Sequence, residues 1–170
     1  MNSGDEFEYP GAVYFLLKSL HAFRLDDEYP IFYGKSRWFN NTNPGLPIKL
    51  NKIIPRFGRV PSHQAMIIPT SVQRKLGFDP NFSVAADKDF KIRAILSGVK
   101  FVYIDEVVCI SKAGGSSQII KNHDHLFYRT KEVFYVMKKN YSYSWGVVVA
   151  SLFYFWNLRK LFSTKNIHNI

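Results

Sequence analysis

Apolar side chains recur along this chain with two different periods. Val13, Leu16, Leu17 and Leu20 lie three and four residues apart, which predicts an amphipathic helix over 11–24, started at Pro10 and Gly11. Leu126, Phe127, Thr130, Phe134 and Met137 predict a longer helix over about 122–139. Short runs without that spacing predict strands: "YPIFYG" (29–34), ended by Gly34, "AMII" (65–68), buried, and "VKFVYI" (99–104). "DEVVCI" (105–110) predicts a second edge after the last of these. Pro69 and Thr70 open a short helix that Gly77 closes, and 86–97 reads as a helix stopped by Gly98. The Asn-, Pro- and Gly-rich stretch 40–62 predicts a long loop, and "AGGSS" (113–117) a flexible turn. Helices alternating with strands imply an α/β or α+β layer fold.

The end of the chain breaks the pattern. Residues 141–158, "YSYSWGVVVASLFYFWNL", carry no charge and are flanked by Lys138 and Lys139 on one side and Arg159 and Lys160 on the other. Eighteen residues sit at the lower limit for crossing a bilayer. The early serines and tyrosines, with Trp145 and Trp156, suit a membrane interface better than a deep span.

Charge adds a partner class. The 170 residues carry a formal net charge of +10, unevenly spread. Six acids fall within 1–28, whereas 29–78 and 133–170 hold no acid, with eight and five Lys or Arg respectively. Such patches want an anionic partner: nucleic acid, a phosphate-bearing substrate or an anionic membrane surface. No nucleic-acid motif accompanies them, and the aromatic cluster is in the tail rather than among the bases, which argues against nucleic acid. With 46% hydrophobic and 16% aromatic residues, the chain can bury a core. The single cysteine, Cys109, excludes an internal disulfide and fits a buried, inert position in a reducing compartment. No secretory signal is visible at the start, where acids rather than bases precede the first apolar run.

Candidate chemistry concentrates in "VAADKDFKIR" (84–93). Asp87 and Asp89 fall in the first turn of a predicted helix, where the macrodipole favours anions. Helix capping explains such acids as readily as catalysis does. Ala85 and Ala86 leave room beside Asp87, and Arg93 is placed to pair with Asp89 at i,i+4. A carboxylate kept ionised there can act as general base toward an acceptor hydroxyl. Asp5, upstream, suits a divalent metal on a diphosphate leaving group. His63 and Gln64 precede a predicted strand, a common place for ligand-binding polar groups.

The segments "NSGDEF", "YPIFYG", "HQAMIIP", "KLGFDPNFSVAADKDFKIRAILSGVKFVYID" and "GGSS", in this order and spacing, resemble the second half of a family 2 glycosyltransferase with the GT-A fold. The bacterial enzymes of colanic acid, capsule and O-antigen synthesis look most similar. The resemblance covers about 1–118, leaving 119–170 as a helical extension with an apolar tail. It implies an α/β fold: a partial GT-A, Rossmann-like sandwich, with a mixed sheet, flanking helices and a C-terminal helical tail. It implies Asp87 as catalytic base of an inverting sugar transfer, and His63, Gln64, Asp89 and Arg93 as substrate-binding. It implies Asp5 as ligand to Mg²⁺ or Mn²⁺.

The implied partners are a nucleotide-diphospho-sugar donor, a lipid-diphosphate-linked glycan acceptor and an anionic membrane surface at the cytoplasmic face of a bacterial plasma membrane. The family's Asp-x-Asp motif is replaced here by Asn2-Ser3-Gly4-Asp5, which weakens the metal expectation. The family's nucleotide-binding first half has no counterpart in the chain, so a separate N-terminal half is an expected partner. The alternatives are an inactive remnant and a basic membrane-interaction module.

Overall fold

The computed structural model describes residues 6–7, 14, 18, 30–38, 50, 54–111, 120 and 122–165. Their architecture is α/β, a small mixed sheet flanked by helices. Four strands, β1 (Glu6–Phe7), β2 (Ile31–Trp38), β3 (Met66–Ile67) and β4 (Phe101–Ser111), pair in the order β1-β4-β2-β3. β2 and β4 run parallel, with Ile31 opposite Phe101, and β1 and β3 flank them antiparallel. The helices are α1 (Thr70–Leu76), α2 (Ala86–Leu96), α3 (His123–Asn140) and α4 (Tyr143–Lys165).

Two expectations about the sheet are corrected. β2 does not end at Gly34 but continues to Trp38. A Cβ at Gly34 would lie 2.3 Å from Val108 Cγ2 and 2.8 Å from the Glu106 carbonyl. The glycine therefore permits close approach of β4 rather than a turn. "VKFVYI" and "DEVVCI" are one strand, not two. The register slips between Tyr33 and Lys35 and again between Lys35 and Ser36, which lets β4 carry exposed Asp105 and Glu106 across the irregularity. Lys35 answers Asp105 at 2.6 Å.

The "AMII" strand is shorter than expected. Ala65 closes a 3₁₀ turn over His63–Ala65, and only Met66–Ile67 pair, half-buried, at the sheet edge. Within the expected loop 40–62, Ile54–Phe57 form another 3₁₀ turn. The predicted helix 11–24, apart from helical Tyr14 and Lys18, and the turn 113–117 lie outside the described residues. Asp5 lies outside them as well.

The core has two parts. Phe32, Ala65, Val108 and Cys109 pack on the sheet, and the cysteine is fully buried as its apolar neighbours predict. Ala85 and Ile92 of the α2 region pack with Val133, Val136 and Met137 of α3 and with Val149 of α4. The helical extension thus lies directly on the helix that carries Asp87. Trp145 fixes the start of α4, donating from Nε1 to the Arg56 carbonyl at 2.5 Å. Among the described residues no helix is long and apolar enough to cross a membrane.

Candidate active site around Asp87

α2 begins without a capping side chain of its own, because Ala85 occupies the N-cap position. The cap comes from α3. Glu132, 5% exposed, accepts from the amides of Ser83 at 3.0 Å, Val84 at 2.8 Å and Ala85 at 2.7 Å, and from the Ser83 hydroxyl at 2.9 Å. One buried carboxylate thereby satisfies three successive backbone donors ahead of the helix. Burial pushes the Glu132 carboxyl up, and hydrogen bonds from Tyr128, Ser83, Ala85 and Val84 outweigh that and hold it below its usual value.

Asp89 is the second lock. It is fully buried, and its oxygens accept from Arg93 at 2.7 Å, Lys139 at 3.1 Å and Asn140 at 2.8 Å. The expected i,i+4 pair with Arg93 is therefore present. The same guanidinium donates to the carbonyls of Leu76 at 2.6 Å and Gly77 at 2.7 Å, tying the end of α1 to α2. Lys139 extends the network to Asp79 at 2.7 Å, holding that carboxyl at about 2. Both side chains are thus engaged by protein partners that fix the loop 77–85 in front of α2.

Asp87 is placed differently. Its side chain is 44% exposed, and it pairs with Lys91 at 2.9 Å. Lys91 is almost wholly buried, and its ammonium also donates to the Pro61 carbonyl at 3.0 Å. Partial burial pushes the Asp87 carboxyl up, but the charge and hydrogen bond of Lys91 prevail, and His63 adds a smaller pull. Asp87 is thus held below the usual carboxylate range, ionised at neutral pH and open to solvent. Two acids two residues apart have been given separate work by their surroundings.

The structure brings His63 into electrostatic reach of Asp87 and Lys91. Burial and the Lys91 charge lower the imidazole below its ordinary value, offset in part by Asp87. Its Nδ1 is buried without a hydrogen-bond partner among the described residues, and its ring stands edge-on to Phe78. Gln64 lies beside it and accepts from the Ser62 hydroxyl at 2.6 Å. Of the six expected site residues, the structure brings His63 and Asp87 together, with Gln64 next to His63 in the chain, whereas Asp89, two residues on round α2, and Arg93 lie in the separate network with Leu76, Gly77, Lys139 and Asn140. Among the described residues no group of three His, Cys, Asp or Glu could hold a metal ion, and Asp5, the expected ligand, lies outside them.

Sequence reasoning passed over Lys91, although its i,i+4 relation to Asp87 is the same signal that identified the Asp89–Arg93 pair. Glu132, Lys139 and Asn140 gave no local signal, because their partners lie about fifty residues away. No family model, curated protein or solved structure matches this chain.

Proposed function

We propose that the chain carries the acceptor side of an inverting sugar transfer, as a partial GT-A domain. One observation carries the reading: of two acids in the first turn of α2, Asp89 is consumed by structure, while Asp87 is ionised, anchored by a buried lysine and half open to solvent. A general base must be deprotonated and open to the acceptor hydroxyl, and Asp87 is both, although its pairing with Lys91 makes it a weaker base than an unpaired aspartate.

In this reaction the acceptor hydroxyl oxygen attacks the anomeric carbon of a nucleotide-diphospho-sugar from the face opposite the diphosphate. The new carbon–oxygen bond forms as the bond to the diphosphate oxygen breaks. The nucleoside diphosphate leaves with the bonding pair, and the hydroxyl proton passes to Asp87. His63 and Gln64 line the approach of the sugars. Asp89 and Arg93 act as positioning residues, since they hold the loop before α2 and so the direction of Asp87.

The acceptor in this account is a lipid-diphosphate-linked glycan of a cell-surface polysaccharide, met at the cytoplasmic face of a bacterial membrane. Leu152, Phe155 and Trp156, each about 60–70% exposed on α4, support peripheral contact with such a surface. The test is transfer of labelled sugar from a panel of nucleotide-diphospho-sugars to lipid-extractable acceptors by the chain supplied with a donor-binding half. Loss in Asp87→Asn with folding retained supports the assignment, and retained transfer overturns it.

A further inference from the structure

The turn 79–82 and the outer face of α3 enclose a cleft of about 550 Å³, within the size range of small-molecule sites. Asp87, Lys91 and His63 are not among its lining residues, so it is separate from the site around Asp87. Its two walls are already fastened to each other. Lys139 of α3 holds Asp79 at 2.7 Å, Glu132 holds the amides of Ser83, Val84 and Ala85, and the Tyr128 hydroxyl meets that of Ser83 at 2.5 Å. The cleft is thus formed in the absence of a ligand, and binding there orders little of the protein.

Tyr128, Lys131, Tyr135 and Lys138 form the α3 wall, and all four are exposed. At 100° per residue their positions fall within about 80° of one another on the helix. The two tyrosines are separated by a rise of about 10.5 Å, longer than one ring of a ligand. Asn81 and Phe82 stand on the opposite wall. The two acids at the cleft are occupied within the fold: Asp79 by Lys139 and Asn81, Glu132 by the backbone ahead of α2. Among the described residues Lys131 has no ion pair or hydrogen bond, and Lys138 meets only the Tyr143 ring, at 5.6 Å from its centre. The Tyr135 hydroxyl and the Asn81 amide oxygen likewise have no hydrogen-bond partner among them.

These groups select a ligand class. A flat aromatic acid answers the cations and the rings but leaves the Asn81 amide and the Tyr135 hydroxyl unmet. A neutral sugar answers the hydroxyl, the amide and a ring but leaves Lys131 unmet. A sugar carrying an acidic group answers all of them, with its C–H face on a tyrosine, its hydroxyls on Asn81 and Tyr135, and its anion on Lys131. We propose that this cleft binds an acidic saccharide through Lys131, Tyr135 and Asn81. The site rests on its own lining; that the saccharide belongs to the acceptor glycan rests on the sugar-transfer reading.

Tetragalacturonate, a hyaluronate tetrasaccharide and the carboxyl-reduced form of each are titrated into the full chain by calorimetry. An acidic form binds more tightly than its reduced form. Lys131→Met weakens the acidic form about tenfold and leaves the reduced form unchanged. Tyr135→Ala weakens both forms about fivefold or more, and Tyr135→Phe, which keeps the ring, loses less. Urea midpoints of these surface variants stay at the wild-type value. Asp87→Asn leaves the affinity unchanged, because the ligand lies elsewhere.

Binding of neither acidic tetrasaccharide overturns the proposal, as does equal affinity for the acidic and reduced forms. Affinity untouched by both Lys131→Met and Tyr135→Ala, or lost in Asp87→Asn, also overturns it. Benzoate binding more tightly than either tetrasaccharide replaces the saccharide by an aromatic acid and refutes the class assigned. Lys131-dependent binding in a chain that transfers no sugar, even when supplied with a donor-binding half, keeps the cleft and removes the sugar-transfer reading.

Discussion

Glu132→Gln isolates what the cap on α2 contributes. One carboxylate oxygen takes the amide and hydroxyl of Ser83, and the other takes the amides of Val84 and Ala85. Glutamine offers one oxygen and one NH₂, so it can serve only one of these pairs. Its oxygen best keeps Val84 and Ala85, since Ala85 is buried, and its NH₂ then faces the Ser83 amide. Ser83 is exposed and can turn to water.

The cost is the difference between charged and neutral acceptors for two bonds, with the Ser83 bonds lost. That amounts to about 2–3 kcal/mol. Glu132→Ala also leaves the buried Ala85 amide without an acceptor, and about 4 kcal/mol is expected. The assay is urea unfolding at pH 7, read as a lower midpoint at constant slope.

The pH dependence supplies an internal check. The folded carboxyl lies below its unfolded value, so its stabilisation is fully present above about pH 4.3 and fades as pH falls through the folded value. The deficit of Glu132→Gln must therefore shrink on acidification below pH 4. A glutamine variant within about 0.5 kcal/mol of wild type at pH 7, or a deficit independent of pH, refutes the cap as described.

Asp89→Asn leaves the Arg93 and Lys139 charges around a buried neutral amide and should cost about 3–5 kcal/mol in urea unfolding. Gly34→Ala forces a Cβ onto Val108 and the Glu106 carbonyl and should lower stability by about 1–3 kcal/mol, seen as a lower melting temperature. Asp79 and Asp87, both held low, keep their contributions above about pH 4 and lose them on acidification, toward pH 2 for Asp79. With His63 also lowered by burial, a melting-temperature series from pH 7 to pH 2 should begin to fall near pH 6.5 and fall further below about pH 4.

Legibility in the sequence followed the range of the interaction. Period and punctuation located α1, α2 and α3, because Gly77 and Gly98 stop helices at positive φ and the apolar spacing of α3 is regular. The Asp89–Arg93 pair was readable because both partners share one helix face. The sheet was less so. Asp105 and Glu106 look like a strand end in sequence, yet a register slip carries the strand through them. Gly34 looks like a terminator, but the reason for it is Val108, seventy-four residues away in the chain. The division of labour between Asp87 and Asp89 was not readable at all. Lys139 and Asn140 claim one acid from another helix, and no local pattern announces it.

The central claim is that Asp87 removes the acceptor proton. It is tested by the rate of sugar transfer to lipid-extractable product in wild type and Asp87→Asn, side by side with urea midpoints for both. The account predicts measurable transfer by the wild type once a donor-binding half is supplied, and a loss of about 10²–10⁴-fold in the variant while it still unfolds cooperatively. Transfer at a comparable rate by folded Asp87→Asn, or none by the complemented wild type with any donor tested, contradicts it.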